Sequence, residues 1–253
     1  MMKNKIVLLV IFLTIILVCL TLRNTKTGKL INIVEPVCPV SPAVFSAPEG
    51  ERLNYEVRLG GLSLGSAMLS NFGSINVDGR LLNRLTFETN AVRFKDVETI
   101  YSDPQTFMPV KIEREICKWL SSENITEVYD QDNFTVTITK HKYSKQEKTT
   151  IKKESPIHNP ILLSYYARGV FNFMPGGILN VNLPGNKFEI KMVSIEDVEV
   201  PAGKFKAYRF ESSPKEIEIW VSADERRIPL KMQGIGTFGY SLELKNIEQQ
   251  LVN

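Results

Sequence analysis

Apolar and polar side chains alternate in short runs from Arg52 to the C-terminus, and this period of two constrains the fold more than any other feature. A period of two is typical of a β-strand that has one buried and one solvated face. Strands of this kind form antiparallel sheets, whose two faces differ. The apolar positions of the first run are Leu53, Tyr55, Val57 and Leu59, and similar runs span residues 134–138, 188–192, 217–221 and 240–244.

Residues that favour tight turns separate these runs at short intervals, as expected for a meander of hairpins. About eleven or twelve strands in some 200 residues would leave long open edges unless the sheet curves or closes. We therefore predict an all-β fold, an antiparallel meander that forms a strongly curved sheet or a barrel. The turn pairs are Gly60-Gly61, Asp78-Gly79, Asp103-Pro104, Ala202-Gly203 and Asp224-Glu225.

One segment lacks the alternation and predicts a short helix near residues 160–168. Asn159 is suited to cap its N-terminus, and Pro160 is suited to its first position. The helix is too apolar for a free surface helix, so we expect it to plug one mouth of the curved sheet or to cover one face. Its large apolar residues are Leu162, Leu163, Tyr165 and Tyr166.

The N-terminus carries an uncharged apolar run from Ile6 to Leu22, preceded by Lys3 and Lys5. Residues 1–29 are predicted to be a membrane anchor or signal segment with basic flanks, residues 30–48 a Pro-rich tether, and residues 49–253 a single β-rich domain. The expected location is an inner-membrane anchor with the domain in the periplasm. A cleaved signal with secretion to the periplasm, and lipidation at Cys19, remain the alternatives.

The charge distribution disfavours a nucleic-acid partner. The chain has 31 Lys and Arg against 28 Asp and Glu, and the first 29 residues hold five of the basic residues and no acid. The remainder therefore has 26 basic and 28 acidic groups, a net charge of −2. A nucleic-acid binder would carry its basic excess on the folded domain.

Motifs for catalysis and metal binding are missing from the sequence. It has no Gly-rich phosphate loop, no zinc-spaced Cys and His set and no Gly-x-Ser-x-Gly elbow. We predict no catalytic residue, no metal ligand and no cofactor.

His158 is interpreted as a surface or capping residue, and Glu216 and Glu218 as the solvated face of a strand. Cys38 and Cys117 are interpreted as free thiols, with a disulfide between them as the alternative.

Several stretches together resemble the bacterial envelope family known as domain of unknown function 3108, over about residues 49–248. The resemblance implies an exported β-rich domain on the periplasmic side, often behind a signal or lipoprotein peptide. It implies no catalytic residue and no ligand. The matching stretches are residues 50–57 (GERLNYEV), 103–111 (DPQTFMPVK), 159–166 (NPILLSYY), 200–207 (VPAGKFKA) and 219–230 (IWVSADERRIPL).

Two hypotheses for the function follow. In the first, the concave apolar face binds a lipid or another hydrophobic envelope molecule, although the same residues could simply fill the core. In the second, the domain is a structural or assembly module that docks to envelope proteins through a sheet edge or through the Lys-rich stretch 140–153. The candidate mouth residues of the first hypothesis are Tyr165, Tyr166, Phe171, Phe173 and Met174.

Overall fold

The computed structural model describes residues 48–142, 145–169, 177–235 and 240–249, and most of them belong to one antiparallel sheet. The sheet has fourteen strands, and one short helix, α1, lies between the eighth and the ninth. The elements are β1 Glu51–Leu59, β2 Leu62–Val77, β3 Arg80–Ala91, β4 Phe94–Ser102, β5 Pro109–Lys118, β6 Ser121–Asp130, β7 Thr135–Lys142, β8 Lys145–Lys152, α1 Leu163–Gly169, β9 Ile178–Asn182, β10 Lys187–Val200, β11 Gly203–Ser213, β12 Ile217–Ser222, β13 Pro229–Gly234 and β14 Tyr240–Gln249.

The strand order is β8-β7-β6-β5-β4-β3-β2-β1-β14-β13-β12-β11-β10-β9. Two meanders, β1 to β8 and β9 to β14, therefore meet at the pairing of the first strand with the last. That ladder runs antiparallel from Glu51 opposite Gln249 to Leu59 opposite Tyr240. The predicted all-β meander is confirmed. The strand number exceeds the expected one partly because β8 is polar except for Ile151 and shows no alternation.

The hairpin turns follow the predicted turn chemistry. Gly60 and Gly61 have φ of +53° and +84°, and Asp78 and Gly79 have φ of +51° and +80°. Two successive residues with positive φ form the turn whose twist matches that of the flanking strands. Asn76 supports the second turn, because its Oδ1 accepts a hydrogen bond from the Gly79 N–H at 2.9 Å. These turns let β1–β2 and β2–β3 connect with two-residue loops.

The core lies on the concave face of the sheet, which is the face against which α1 packs. Alternate residues of neighbouring strands meet there and are fully buried. They include Leu53 and Tyr55 of β1, Leu85 of β3, Ile100 of β4 and Ile112 of β5. Burial of such side chains contributes about 1.5–3 kcal/mol each and drives the curvature that closes the sheet around them.

The opposite, convex face is not uniformly solvated. Glu218 on β12 is 8% exposed, so its interpretation as a solvated residue is wrong, whereas Glu216 is exposed. Arg209 of β11 covers Glu218, with its Nη2 donating to Glu218 Oε1 at 2.6 Å, and Lys215 Nζ lies 3.3 Å from the same oxygen. Long basic side chains laid across the strands therefore shield a carboxylate that the sequence places on the outer face.

The predicted helix is confirmed, with a turn at 160–162 followed by α1. Asn159 is its cap, because Asn159 Oδ1 accepts hydrogen bonds from the N–H groups of Ile161 at 2.8 Å and Leu162 at 3.3 Å. Leu163, which begins α1, is buried with its apolar neighbours in the core. Packing of this apolar face holds in place a helix far too short to be stable alone.

The segment before α1 connects the two meanders through side-chain amides. Gln131 Nε2 donates to the carbonyls of Ile157 at 2.9 Å and Pro109 at 3.0 Å, and its Oε1 accepts from the Ile157 N–H at 2.9 Å. On the other side, His158 N–H donates to the Asn182 carbonyl at 2.7 Å, and His158 Nδ1 accepts from the Asn182 N–H at 3.1 Å. Residues 157–158 thus join the β6–β7 turn to β9, and His158 has a structural, capping role.

The predicted membrane segment, the tether and Cys38 lie outside the described residues. Within the described part of the chain, no helix is long and apolar enough to cross a membrane. Cys117 lies on β5 as an exposed free thiol.

Replacement of Gln131 by Ala should destabilise the domain by about 1–3 kcal/mol, because the buried N–H and C=O of Ile157 lose their partner. Urea denaturation followed by circular dichroism measures this loss. The matched control is Gln146→Ala on the exposed strand β8, where we expect no change beyond about 0.5 kcal/mol. Equal stability of the two variants would contradict the bridging role of Gln131.

Candidate functional site

The floor of the concave face is built on a buried ion pair between α1 and β1. Arg168 Nη1 and Nη2 donate to Glu51 Oε2 and Oε1 at 2.5 and 2.8 Å, and Arg168 Nε donates to the Arg227 carbonyl at 3.1 Å. Arg168 is 1% exposed and Glu51 is 5% exposed. A bidentate guanidinium–carboxylate pair is among the few arrangements that tolerate such burial. The pair therefore fixes α1 against the start of β1.

Tyrosine side chains complete this floor. Tyr165 stacks on Phe107 with ring centroids 5.3 Å apart, and Tyr166 Oη donates to the Phe107 carbonyl at 2.9 Å. Tyr55 Oη donates to the Pro229 carbonyl at 3.0 Å. Burial raises the pKa of Tyr55, Tyr165 and Tyr166 far above the ordinary value of a phenol, so all three are neutral.

Two of the five candidate mouth residues are thus brought together, and both are part of the packed floor. Tyr165 is 2% exposed and Tyr166 is 3% exposed. Phe171, Phe173 and Met174 lie outside the described residues. Binding of a ligand by these five residues stays a prediction.

A second feature of the concave face, which the sequence did not reveal, is a cluster of charged side chains on β4, β5 and β6. In the register of the sheet, Glu98 lies opposite Arg114, one row above the pair of Ile100 and Ile112. Directly opposed residues point to the same face. Because Ile100 and Ile112 are core residues, Glu98 and Arg114 also lie on the concave face.

We call Asp96, Glu98, Arg114 and Glu127 the concave charged cluster. Arg114 Nε donates to Asp96 Oδ1 at 2.8 Å and lies 3.3 Å from Glu98 Oε1, while Arg114 Nη2 also bonds Asp96 Oδ2. Tyr129 Oη donates to Glu127 Oε2 at 2.5 Å. The side chains of Asp96, Glu98 and Arg114 are only 8–12% exposed.

The carboxylates of this cluster outnumber the cations around them, because Asp96, Glu98 and Glu127 share Arg114 and the nearby Lys140 of β7. Burial raises the pKa of Glu98 from 4.5 to about 7, against the opposing effect of Arg114, and the negative Asp96 adds to the rise. Burial also raises the pKa of Glu127. The cluster can therefore hold or release a proton near neutral pH, and it can bind a polar or cationic group.

The surroundings of the cluster are apolar. Phe94 and Ile116 lie on the same face towards one end of the sheet, and Ile100 and Ile112 towards the other. The described residues contain no group of three or more His, Cys, Asp or Glu side chains that could hold a metal ion. On this face a few charged side chains are therefore set among many apolar ones.

The family model described as "Protein of unknown function (DUF3108)" matches residues 54–245, the stretch that runs from β1 to β14 and includes the concave charged cluster. The chain belongs to the DUF3108 family. Most of the DUF3108 domain is therefore described by the structure, including α1 and its floor. No significant match was found among the curated proteins.

Comparison with solved structures gives one likeness in fold and weaker matches. A β-barrel-like protein of the domain of unknown function DUF1849 from Brucella abortus has a TM-score of 0.50 at 10% identity, and the match covers 79% of this chain and 97% of that chain. A protein with a YmcC-like fold from Bacteroides fragilis has a TM-score of 0.31 at 11% identity, covering 81% and 99%. The first likeness supports a β-barrel-like architecture.

Replacement of Arg168 by Met should destabilise the domain by about 3–5 kcal/mol, because Glu51 is left buried without a counter-charge. The double variant Arg168→Met/Glu51→Gln should lose less stability than Arg168→Met alone, since it removes both charges. Thermal and urea denaturation give both values. Arg226→Met is the control, because Arg226 forms only an exposed pair with Asp224. A double variant as unstable as Arg168→Met alone would contradict the buried pair as the cause.

Replacement of Glu98 by Gln should change how stability depends on pH. The pKa of Glu98 is about 7 in the folded protein, against 4.5 for an ordinary Glu in the unfolded chain. Between these two pH values the folded wild type binds more protons than the unfolded chain, so its free energy of unfolding falls as pH rises from 4.5 to 7. The loss is on the order of 3 kcal/mol. We expect Glu98→Gln to match wild type near pH 4 and to be more stable by that amount near pH 8.

Urea denaturation across this pH range measures the difference. The control is Glu115→Gln, which replaces an exposed carboxylate on the convex side of β5 and should change the free energy of unfolding by no more than about 0.5 kcal/mol. A constant difference between wild type and Glu98→Gln would show that Glu98 does not titrate in this window.

Proposed function

We propose that this DUF3108 domain is an exported envelope protein that binds an amphipathic, lipid-like molecule on the concave face of its sheet. The observation that carries the proposal is the concave charged cluster, which sits among apolar residues on the inner side of a curved sheet. The apolar part of the ligand would lie along Phe94 and Ile116, and its polar group would meet Arg114 or Glu98.

The energetics of the cluster favour binding over a purely structural role. Apolar residues of the same size would fill the concave face without the desolvation of ionised groups, and such replacements are often neutral or stabilising. A buried cluster in which three carboxylates share Arg114 and the nearby Lys140 adds little stability of its own. Clusters with shifted pKa values on a concave apolar face are typical of binding and catalytic sites.

The five candidate mouth residues belong to the same proposal. Tyr165 and Tyr166 form the floor at the α1 end of the concave face. Phe171, Phe173 and Met174 follow α1 in the sequence and supply further apolar surface for the ligand. In this arrangement α1 closes one end of the site.

The proposed location is an inner-membrane anchor with the domain in the periplasm. Its support is the uncharged run from Ile6 to Leu22 with basic flanks, followed by a Pro-rich stretch and a β-domain. Cleavage of this segment and release into the periplasm is the alternative.

A role as a docking module for envelope proteins is the second candidate. The Lys-rich stretch supplies the end of β7 and all of β8, and β8 is an edge strand of the described sheet with nearly all of its side chains exposed. Crosslinking in cells should then recover a defined protein partner, and replacement of Lys142, Lys145 and Lys148 by Glu should remove it.

The binding proposal is tested by extraction of the full chain purified from membranes. Thr89 lies opposite Asp96 on the concave face and is 8% exposed, so Thr89→Phe fills the site. Thr126 lies opposite Glu113 on the convex face, so Thr126→Phe is the matched control. Organic extraction and mass spectrometry should find an amphipathic molecule that is reduced at least tenfold in Thr89→Phe and unchanged in Thr126→Phe.

The N-terminal segment is present in all variants, so any lipid that it binds cancels in the comparison. Circular dichroism verifies folding, and Ala91→Phe on the same face replaces Thr89→Phe if that variant does not fold. Phe171→Ser/Phe173→Ser should also lower the yield of the extracted molecule. Equal amounts in Thr89→Phe and Thr126→Phe, or no molecule above background in wild type, would overturn the proposal.

A further inference from the structure

The most exposed large apolar side chains of the described residues are gathered at one end of the sheet. Leu62 is 71% exposed, Val92 72%, Trp119 68% and Leu120 83%. They lie in or next to the turns of three hairpins, β1–β2, β3–β4 and β5–β6. Single exposed apolar residues are common on protein surfaces, but four at the tips of neighbouring hairpins form a patch.

The register of the sheet brings these turns side by side. Phe94 pairs with Lys118, so the turn at 92–93 lies beside the turn at 119–120. The guanidinium carbon of Arg93 lies 3.5 Å from the centroid of the Trp119 ring, which joins the two tips directly. Gly65 pairs with Ala91, so the β1–β2 turn projects from the same end. We call these three turns, residues 57–65, 90–95 and 117–122, the hairpin rim.

The charge of the hairpin rim has one sign. Its charged residues are all basic, namely Arg58, Arg93, Lys95 and Lys118, and the three stretches contain no Asp or Glu. Arg58 is paired with Glu56 and Glu243 next to the rim, so its positive charge comes mainly from Arg93, Lys95 and Lys118. The next hairpin along the sheet, β7–β8, adds exposed Lys142 and Lys145 beside its turn at the same end. The rim therefore combines protruding apolar side chains with positive charge, although residues 30–253 as a whole have a net charge of −2.

We propose that the hairpin rim docks on the surface of an anionic lipid bilayer. Trp119 is suited to the interface between headgroups and acyl chains, and Leu62, Val92 and Leu120 are suited to insertion just below it. The basic residues around them would contact lipid phosphates, with a contribution of about 1 kcal/mol each near an anionic surface. Buried apolar area and attraction to anionic lipid together set the strength of such binding.

The shape of the rim favours a bilayer over a protein as the occupant. The exposed apolar side chains stand at the tips of three separate hairpins with basic side chains beside them, which suits a deformable anionic surface. The rim also lies at the opposite end of the sheet from α1 and from Glu51, where the chain enters the domain. Docking of the rim is thus a contact distinct from the N-terminal segment, and it does not depend on a ligand on the concave face.

Trp119 itself can report the contact, because the chain has only two tryptophans and Trp220 is 7% exposed. The full chain with Trp220→Phe is reconstituted into vesicles of phosphatidylcholine, or of phosphatidylcholine with phosphatidylglycerol, each with brominated acyl chains. We expect a blue shift of Trp119 emission and at least twofold stronger quenching in the anionic vesicles. Added salt should reverse part of this change.

Variants separate the rim from the rest of the surface. Val92→Ser/Leu120→Ser and Arg93→Glu/Lys118→Glu should each abolish the anionic-lipid effect. The controls are Leu81→Ser and Lys204→Glu, which change an exposed apolar and an exposed basic residue at the other end of the sheet. These controls should keep the full effect.

Three results would overturn the proposal. The first is Trp119 emission that is the same in both kinds of vesicle. The second is an equal loss of quenching in the rim variants and in the controls. The third is a blue shift that grows with protein concentration in detergent without lipid, which would assign the rim to contact between two copies of the chain.

Discussion

The ion pair between Arg168 and Glu51 is the interaction on which the rest of the domain depends. Neither charge can be buried alone, so α1 has one position in which both are satisfied. That position places Tyr165 against Phe107 and seals one end of the concave face. Because Glu51 begins β1, the same pair holds the helix to the strand at which the two meanders meet.

The concave face has a neutral, apolar part and a charged part. At the α1 end, neutral tyrosines and aliphatic side chains fill the space, and burial raises the pKa of Tyr55, Tyr165 and Tyr166. On β4 to β6, Asp96, Glu98, Arg114 and Glu127 keep charge inside the same curved surface at an energetic cost. A fold that only needed a core would gain from apolar residues there, and this cost is the basis of the proposed recognition of a polar group.

Local patterns in the sequence predicted much of this fold, whereas contacts between residues distant in the sequence could not be predicted. Alternation located the strands, and Asn159 with Pro160 located the helix start, because both depend on neighbours in the chain. The pairing of Glu51 with Arg168 joins residues 117 positions apart, which no local pattern encodes. Glu98 was missed because a charged residue in an alternating run is read as solvated, and only the register with Ile100 and Ile112 shows otherwise.

The order of the strands has a consequence for how the domain can be made. Strands β1 to β8 pair with sequence neighbours and can form as soon as they are synthesised, but β1 must wait for β14 to cover its other edge. Pairing of segments so distant in sequence is slow, and an uncovered strand edge invites association with other chains. Strand β14 thus completes the middle of the sheet, and both meanders must be present before its centre closes.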